Sequence, residues 1–71
     1  MATAVRAHIA GTVWKLVVSF DDEVEEGQTV VVLESMKMEM PIEAPIAGRV
    51  TAIHVAPGRV VEEGESLIEL G

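Results

Sequence analysis

The sequence predicts an all-β domain in which two sheets pack across a pseudo-twofold axis, and three observations carry that expectation. First, the halves of the chain align without a gap at an offset of 37 positions, the shift that carries Gly11 onto Gly48. Second, Thr12–Val18 and Arg49–Val55 are rich in β-branched residues, as strands are. Third, no segment of ten or more residues keeps a 3.6-residue period, and glycine and proline punctuate too often for helix. Two copies are too few for a solenoid. Two units that each present one apolar face suit a pair of facing sheets.

In chain order, the first copy opens with Ala7, Ile9, Ala10, Gly11 and Val13, repeated as Ala44, Ile46, Ala47, Gly48 and Val50. The strand Thr12–Val18 breaks its inside-outside alternation between Val13 and Leu16. Its counterpart breaks at the same place, between Val50 and Ile53, so each copy is expected to hold a β-bulge there. Polar or glycine-containing bends follow at Ser19–Asp22 and Ala56–Arg59. The Glu-Glu-Gly turns at Glu25–Gln28 and Glu62–Glu65 come next, where Gly27 and Gly64 supply a positive φ. Each copy closes on a strand, Thr29–Ser35 and Ser66–Leu70. Between the copies, Met38, Met40 and Ile42 alternate with Glu39, Pro41 and Glu43, a period of two with one apolar face. Pro41 has no N–H for a ladder bond, which places this strand at a sheet edge.

Seventy-one residues make one domain, 1–71, with a modest core. Hydrophobic residues are 49% of the chain, but Trp14 and Phe20 are its only aromatics, so Val, Ile, Leu, Ala and Met must build that core. Trp14 reads as a packing anchor with its indole N–H near the surface. There is no cysteine, hence no disulfide, thiolate nucleophile or cysteine-based metal site. A formal charge of −7 disfavours nucleic acid and anionic membrane surfaces, which need clustered Lys and Arg. No apolar run approaches the roughly 20 residues of a spanning helix. Residues 1–6 lack the apolar region of a secretory signal. A cytoplasmic protein is expected.

The chemistry concentrates at Glu34-Ser35-Met36-Lys37-Met38-Glu39. Lysines occur only at 15 and 37, against twelve acidic residues. Lys15 lies in an apolar run and reads as a solvated strand position, whereas Lys37 falls where two strands reverse. Moved by 37 in either direction, Lys37 falls beyond the first or the last residue. The chain ends are therefore expected at the counterpart of this turn, on the opposite pole, leaving the amine unobstructed. An ammonium is a poor nucleophile unaided, so modification there needs an enzyme that activates the amine or its acyl donor.

These residues resemble the biotinyl domains of biotin-dependent carboxylases, whose motif is Ala- or Ser-Met-Lys-Met. The likeness extends over nearly the whole chain, through Gly27, Pro41, Gly48 and Glu62-Glu63-Gly64-Glu65. It implies a flattened β-barrel of two four-stranded antiparallel sheets with the lysine on a hairpin turn. It also implies a non-enzymatic biotin carboxyl carrier. In such a carrier Lys37 is biotinylated by a biotin protein ligase through biotinyl-AMP, with Met36 and Met38 as the flanking recognition pair. The arm then shuttles a carboxyl group between biotin carboxylase and carboxyltransferase subunits, as in an acyl-CoA carboxylase. The length resembles small free-standing attachment proteins, and neither the "thumb" insertion nor the long linker of larger carriers is present. A monomer that meets its partners by diffusion is expected.

Plainer readings stand beside each of these. A lone turn lysine is ordinarily just solvated, but the Met-Lys-Met triplet at a reversal point argues otherwise. Met38 and Met40 could serve partly as adaptable core filler. Glu34 is a candidate for ligase recognition, although Glu34 and Glu39 read equally well as exposed hairpin acids. His8 and His54 lack partners at ligand spacing. Ser35 lies two residues from Lys37, not the three of the Ser-x-x-Lys motif. A lipoyl carrier on the same fold would have Asp-Lys-Ala at 36–38, and an unmodified interaction module is the remaining alternative.

Overall fold

The computed structural model describes residues 2–71. Its strands are β1 (Thr3–Arg6), β2 (Gly11–Leu16), β3 (Glu23–Val24), β4 (Thr29–Ser35), β5 (Met38–Glu43), β6 (Gly48–Ile53), β7 (Val60–Val61) and β8 (Ser66–Leu70). They form two four-stranded antiparallel sheets, ordered β1-β8-β6-β3 and β5-β4-β2-β7. The 37-residue offset converts the first order into the second, strand for strand. It also carries the register: Thr3 opposite Leu70 becomes Met40 opposite Leu33, and Val50 opposite Leu70 becomes Val13 opposite Leu33. Among the described residues no helix is long and apolar enough to cross a membrane.

The core obeys the same symmetry. Val5, Ala7, Val13, Val18, Val24, Val30, Val31 and Leu33 are buried, and so is the residue 37 positions after each of them. The buried set is aliphatic, without polar or charged members, as expected of two sheets that meet on their inner faces. Leu16, Met40 and Ile53 pack against it from the margin. The expected bulges appear as register shifts between Val13 and Lys15 and between Val50 and Ala52. Gly27 and Gly64 both have φ of 85°. Pro41 lies on β5, an edge strand.

Two expectations are corrected, and three short strands are added. The long β-branched strands stop early, at Leu16 and Ile53 instead of Val18 and Val55. Val18 and Val55 are buried outside the ladders, so the β-branched run continues to plug the core, not to extend the sheet. Strands β1, β3 and β7 carry no signal that periodicity could register, because two to four residues are too few. Trp14, expected as a packing anchor with its indole N–H near the surface, lies outside the core and the residues packed against it. It is the extra residue of the first bulge, and half of its surface is exposed (50%).

The body measures 33 × 18 × 18 Å. Gln28, just before β4, lines the same open hollow as Gly48 and Gly71. From there β4 runs seven residues, about 23 Å, to the turn that holds Lys37. The turn and residue 71 therefore lie at opposite ends, as the repeat requires.

Candidate functional site

Strands β4 and β5 are joined by two residues, Met36 and Lys37, with Ser35 opposite Met38 as the closing pair. A two-residue hairpin fits the right-handed twist of its strands when both loop residues take positive φ, which ordinarily selects Asn-Gly. Here Met36 has φ of 51° and Lys37 of 64°. The left-handed region costs a side-chain-bearing residue roughly 1–2 kcal/mol. That cost is sustained because the ladder below over-determines the turn, through Ser35–Met38, Glu34–Glu39 and Leu33–Met40 in unbroken register.

The result is a pinned base with an exposed amine. Lys37 is exposed, and no carboxylate among the described residues lies within 4.0 Å of its ammonium. Met36 is 91% exposed and Met38 63%. Burial rises down the strand: Met40 is half-buried against the core and Ile42 is buried. Met38 is thus not core filler, and Met40 partly is. Two large thioethers are thus held in water at the turn, where they bury no surface in the core. Glu34 and Glu39 are exposed and directly opposite each other, an unfavourable like-charge pair at the foot of the turn. Lys15 is exposed on β2, on the outward row with Val32 and Pro41, and takes no part in the turn.

The sequence reading missed one residue that shapes this site. Gly11, at the start of β2, lies under the end of β4, where an added Cβ would stand 2.7 Å from the Glu34 carbonyl oxygen. Only the missing side chain lets β2 lie this close beneath the hairpin. The repeat carried the signal, because Gly48 meets the Gly71 carbonyl in the same way at 3.1 Å.

An asparagine at position 36 tolerates positive φ better than methionine. Met36→Asn is therefore expected to raise stability by about 0.5–1 kcal/mol, measured by urea unfolding. If Met36 is kept for recognition, the same change lowers modification of Lys37.

The family model described as "Biotin-requiring enzyme" matches residues 1–70. The biotin/lipoyl attachment protein of Bacillus subtilis is 46% identical over 66 residues, covering 93% of this chain and 90% of that protein. The biotin carboxyl carrier protein of Streptococcus mutans is 44% identical over 69 residues, 97% of this chain, and the chain spans about half its length (53%). Among solved structures, a single-chain, multi-domain long-chain acyl-CoA carboxylase superposes with a TM-score of 0.90 at 40% identity, over 96% of this chain and 7% of that one. With sheets, register and lysine-bearing turn in place, and the family model matched from residue 1 to residue 70, the chain belongs to the biotin/lipoyl attachment family.

Proposed function

We propose that this chain is a biotin carboxyl carrier of a biotin-dependent carboxylase, that residues 1–71 act as a single biotinyl domain, and that Lys37 is its attachment residue. The observation that carries the proposal is the pinned two-residue turn, which holds an unpaired, exposed amine between two exposed methionines. The site fits the group, since an acyl chain on Nζ would meet only solvent. In the attachment step the Lys37 amine attacks the acyl carbon of an activated biotin held by a biotin protein ligase. The new amide forms as the bond to AMP breaks, and the amine loses its proton. Bound biotin supplies the ureido nitrogen on which a carboxyl group travels.

The chain itself contributes position and reach. The strained turn fixes the base of the arm, and the lysine methylenes leave its tip mobile. Tethering the group to a body that docks raises its effective concentration at partner sites. No side chain of the domain need act in catalysis. The partners in this reading are the ligase, a biotin carboxylase and a carboxyltransferase, met in the cytoplasm by a monomeric domain. An acyl-CoA is the proposed acceptor, supported by the likeness to a segment of an acyl-CoA carboxylase. Met36 and Met38 form an apolar collar for the ligase, and Glu34 adds charge beside it.

Incubation with ligase, ATP and biotin is expected to add the mass of one biotinyl group. Protein from its own cells is expected to carry that adduct on Lys37. A lipoyl adduct, or none, would refute the carrier reading. The collar has its own test. Exchanging Met36 and Met38 for Asp and Ala should slow biotinylation roughly 10–100-fold, the scale of one or two lost contacts at 1.4 kcal/mol per tenfold. Met40→Ala should slow it little, and equal effects at all three methionines would sink the collar.

A further inference from the structure

We infer that the outer face of the β5-β4-β2-β7 sheet is a docking surface for the biotin carboxylase that loads the arm, and that this partner presents an apolar surface framed by Lys and Arg. The inference rests on the carrier reading. Its warrant is an internal comparison, because the pseudo-twofold axis gives every outward position of this sheet a counterpart on the other.

The inner faces match in pairs throughout the buried core, and the outer faces do not. On the β1-β8-β6-β3 sheet the outward row Ala4, Glu69 and Ala52 adjoins polar side chains bonded to one another. Arg49 Nη2 donates to Glu23 Oε1 at 2.8 Å, His54 Nε2 and Glu69 Oε2 are 2.7 Å apart, and Thr51 Oγ1 donates to the Glu69 carbonyl at 3.3 Å. Moved by 37 positions, Glu23, Thr51, His54 and Glu69 become Val60, Trp14, Val17 and Val32. Val60 is 68% exposed, Trp14 50% and Val17 47%, with Val32 half-buried between Lys15 and Pro41. Since one sheet folds with a polar outer face over the same core, folding does not require the apolar one. By contrast Ile9 and Ile46, counterparts of each other, are both exposed, so that pair does not distinguish the two halves.

Position and charge identify what covers this face. Glu39, Glu34, Thr12 and Val60 form one row across the four strands, and Pro41, Val32 and Lys15 the next. These rows lie about 3 and 10 Å along β4 from Ser35, where the turn that holds Lys37 begins. A protein that draws the arm into its active site is therefore brought against them. Of the chain's five Lys and Arg residues, Lys15 stands on this face and Lys37 at the turn beyond it. Arg6 is held by the Gly64 carbonyl, Arg49 by Asp21 and Glu23, and Arg59 by Glu65 and the His54 carbonyl. With Glu34 and Glu39 on the rim and a net charge of −7, the complementary surface is apolar at its centre and basic at its edge.

The test uses biotinylated full-length domain as carboxyl acceptor for the purified biotin carboxylase subunit of the cell's acyl-CoA carboxylase, with MgATP and bicarbonate. Trp14→Ala combined with Val60→Ser should raise KM for the carrier at least about tenfold, as loss of an interface aromatic does, with kcat nearly unchanged. Thr51→Ala with His54→Ala, the mirror change on the other sheet, should leave KM within about twofold. KM should rise with added salt. Avidin shift and thermal unfolding verify that each variant is loaded and folded. In the wild type, Trp14, the chain's one tryptophan, should shift its emission to the blue when the carboxylase binds. An unchanged KM in the first variant, an equal rise in the mirror variant, or a wild-type KM no lower than that of free biotin would overturn the inference. So would a homodimer in sedimentation that Trp14→Ala dissolves, because a second copy would then be the occupant. Failure of the wild-type domain to accept biotin at all would instead remove the carrier reading beneath it.

Discussion

Lys37→Arg is expected to leave a folded domain that takes up no biotin. The guanidinium keeps its positive charge at every pH a protein tolerates and offers no free amine to an acyl donor, so the loss should be complete. Folding should hardly change. Lys37 is exposed, with no carboxylate of the described residues within 4.0 Å, and arginine differs little from lysine in backbone preference. Stability should stay within about 0.5 kcal/mol, or roughly 2–4 °C in Tm for a domain of this size. Avidin blotting, intact mass and thermal unfolding of the same sample separate the two effects. Lys15→Arg serves as control and should be biotinylated like the wild type. Avidin signal surviving in Lys37→Arg would refute the assignment.

The second large effect falls on the scaffold. An alanine at Gly11 would place its Cβ 2.7 Å from the Glu34 carbonyl oxygen, a mid-ladder atom with strands on both sides. Overpacking of this kind costs about 1–3 kcal/mol, against a total of roughly 4–10 kcal/mol for a domain of this length. Gly11→Ala should therefore lower Tm by about 10–20 °C. Gly48→Ala meets its carbonyl at 3.1 Å, and that carbonyl belongs to exposed Gly71, outside the strands. There the smaller unfolded-state entropy of alanine, worth about 0.4–1 kcal/mol, should offset most of the strain. Thermal unfolding of the two variants side by side is the measurement. Equal losses would show that the close approach at Gly11 has no special role.

Much of this was written openly in the sequence, and the exceptions have physical causes. The repeat was legible because the buried residues recur in pairs 37 apart. The bulges were legible because each breaks the same alternation twice. The misplacement of Trp14 follows from one of them: an extra residue in a bulge interrupts the inside-outside alternation, so neither the period nor hydrophobicity assigns it a face. Strands β3 and β7, two residues each, exist through their partners Arg49–Gly48 and Gly11–Thr12, not through their own propensity. The turn at Met36-Lys37 could be located but its backbone could not, since nothing about methionine and lysine announces paired positive φ. Tertiary pairing imposes that conformation against local preference. The asymmetry of the outer faces was equally present in the letters, but it acquires meaning only once both faces are known to point outward.

The placement of the turn opposite residue 71 has a mechanical consequence. In the carrier reading proposed above, a group joined to Lys37 would sit at the far tip of a body up to 33 Å long from that end. A leash there sets where the pivot is, and the body adds its whole length to the radius swept. Mounted within a longer polypeptide or drifting loose, the domain works as a crane whose hook never has to pass its own mast.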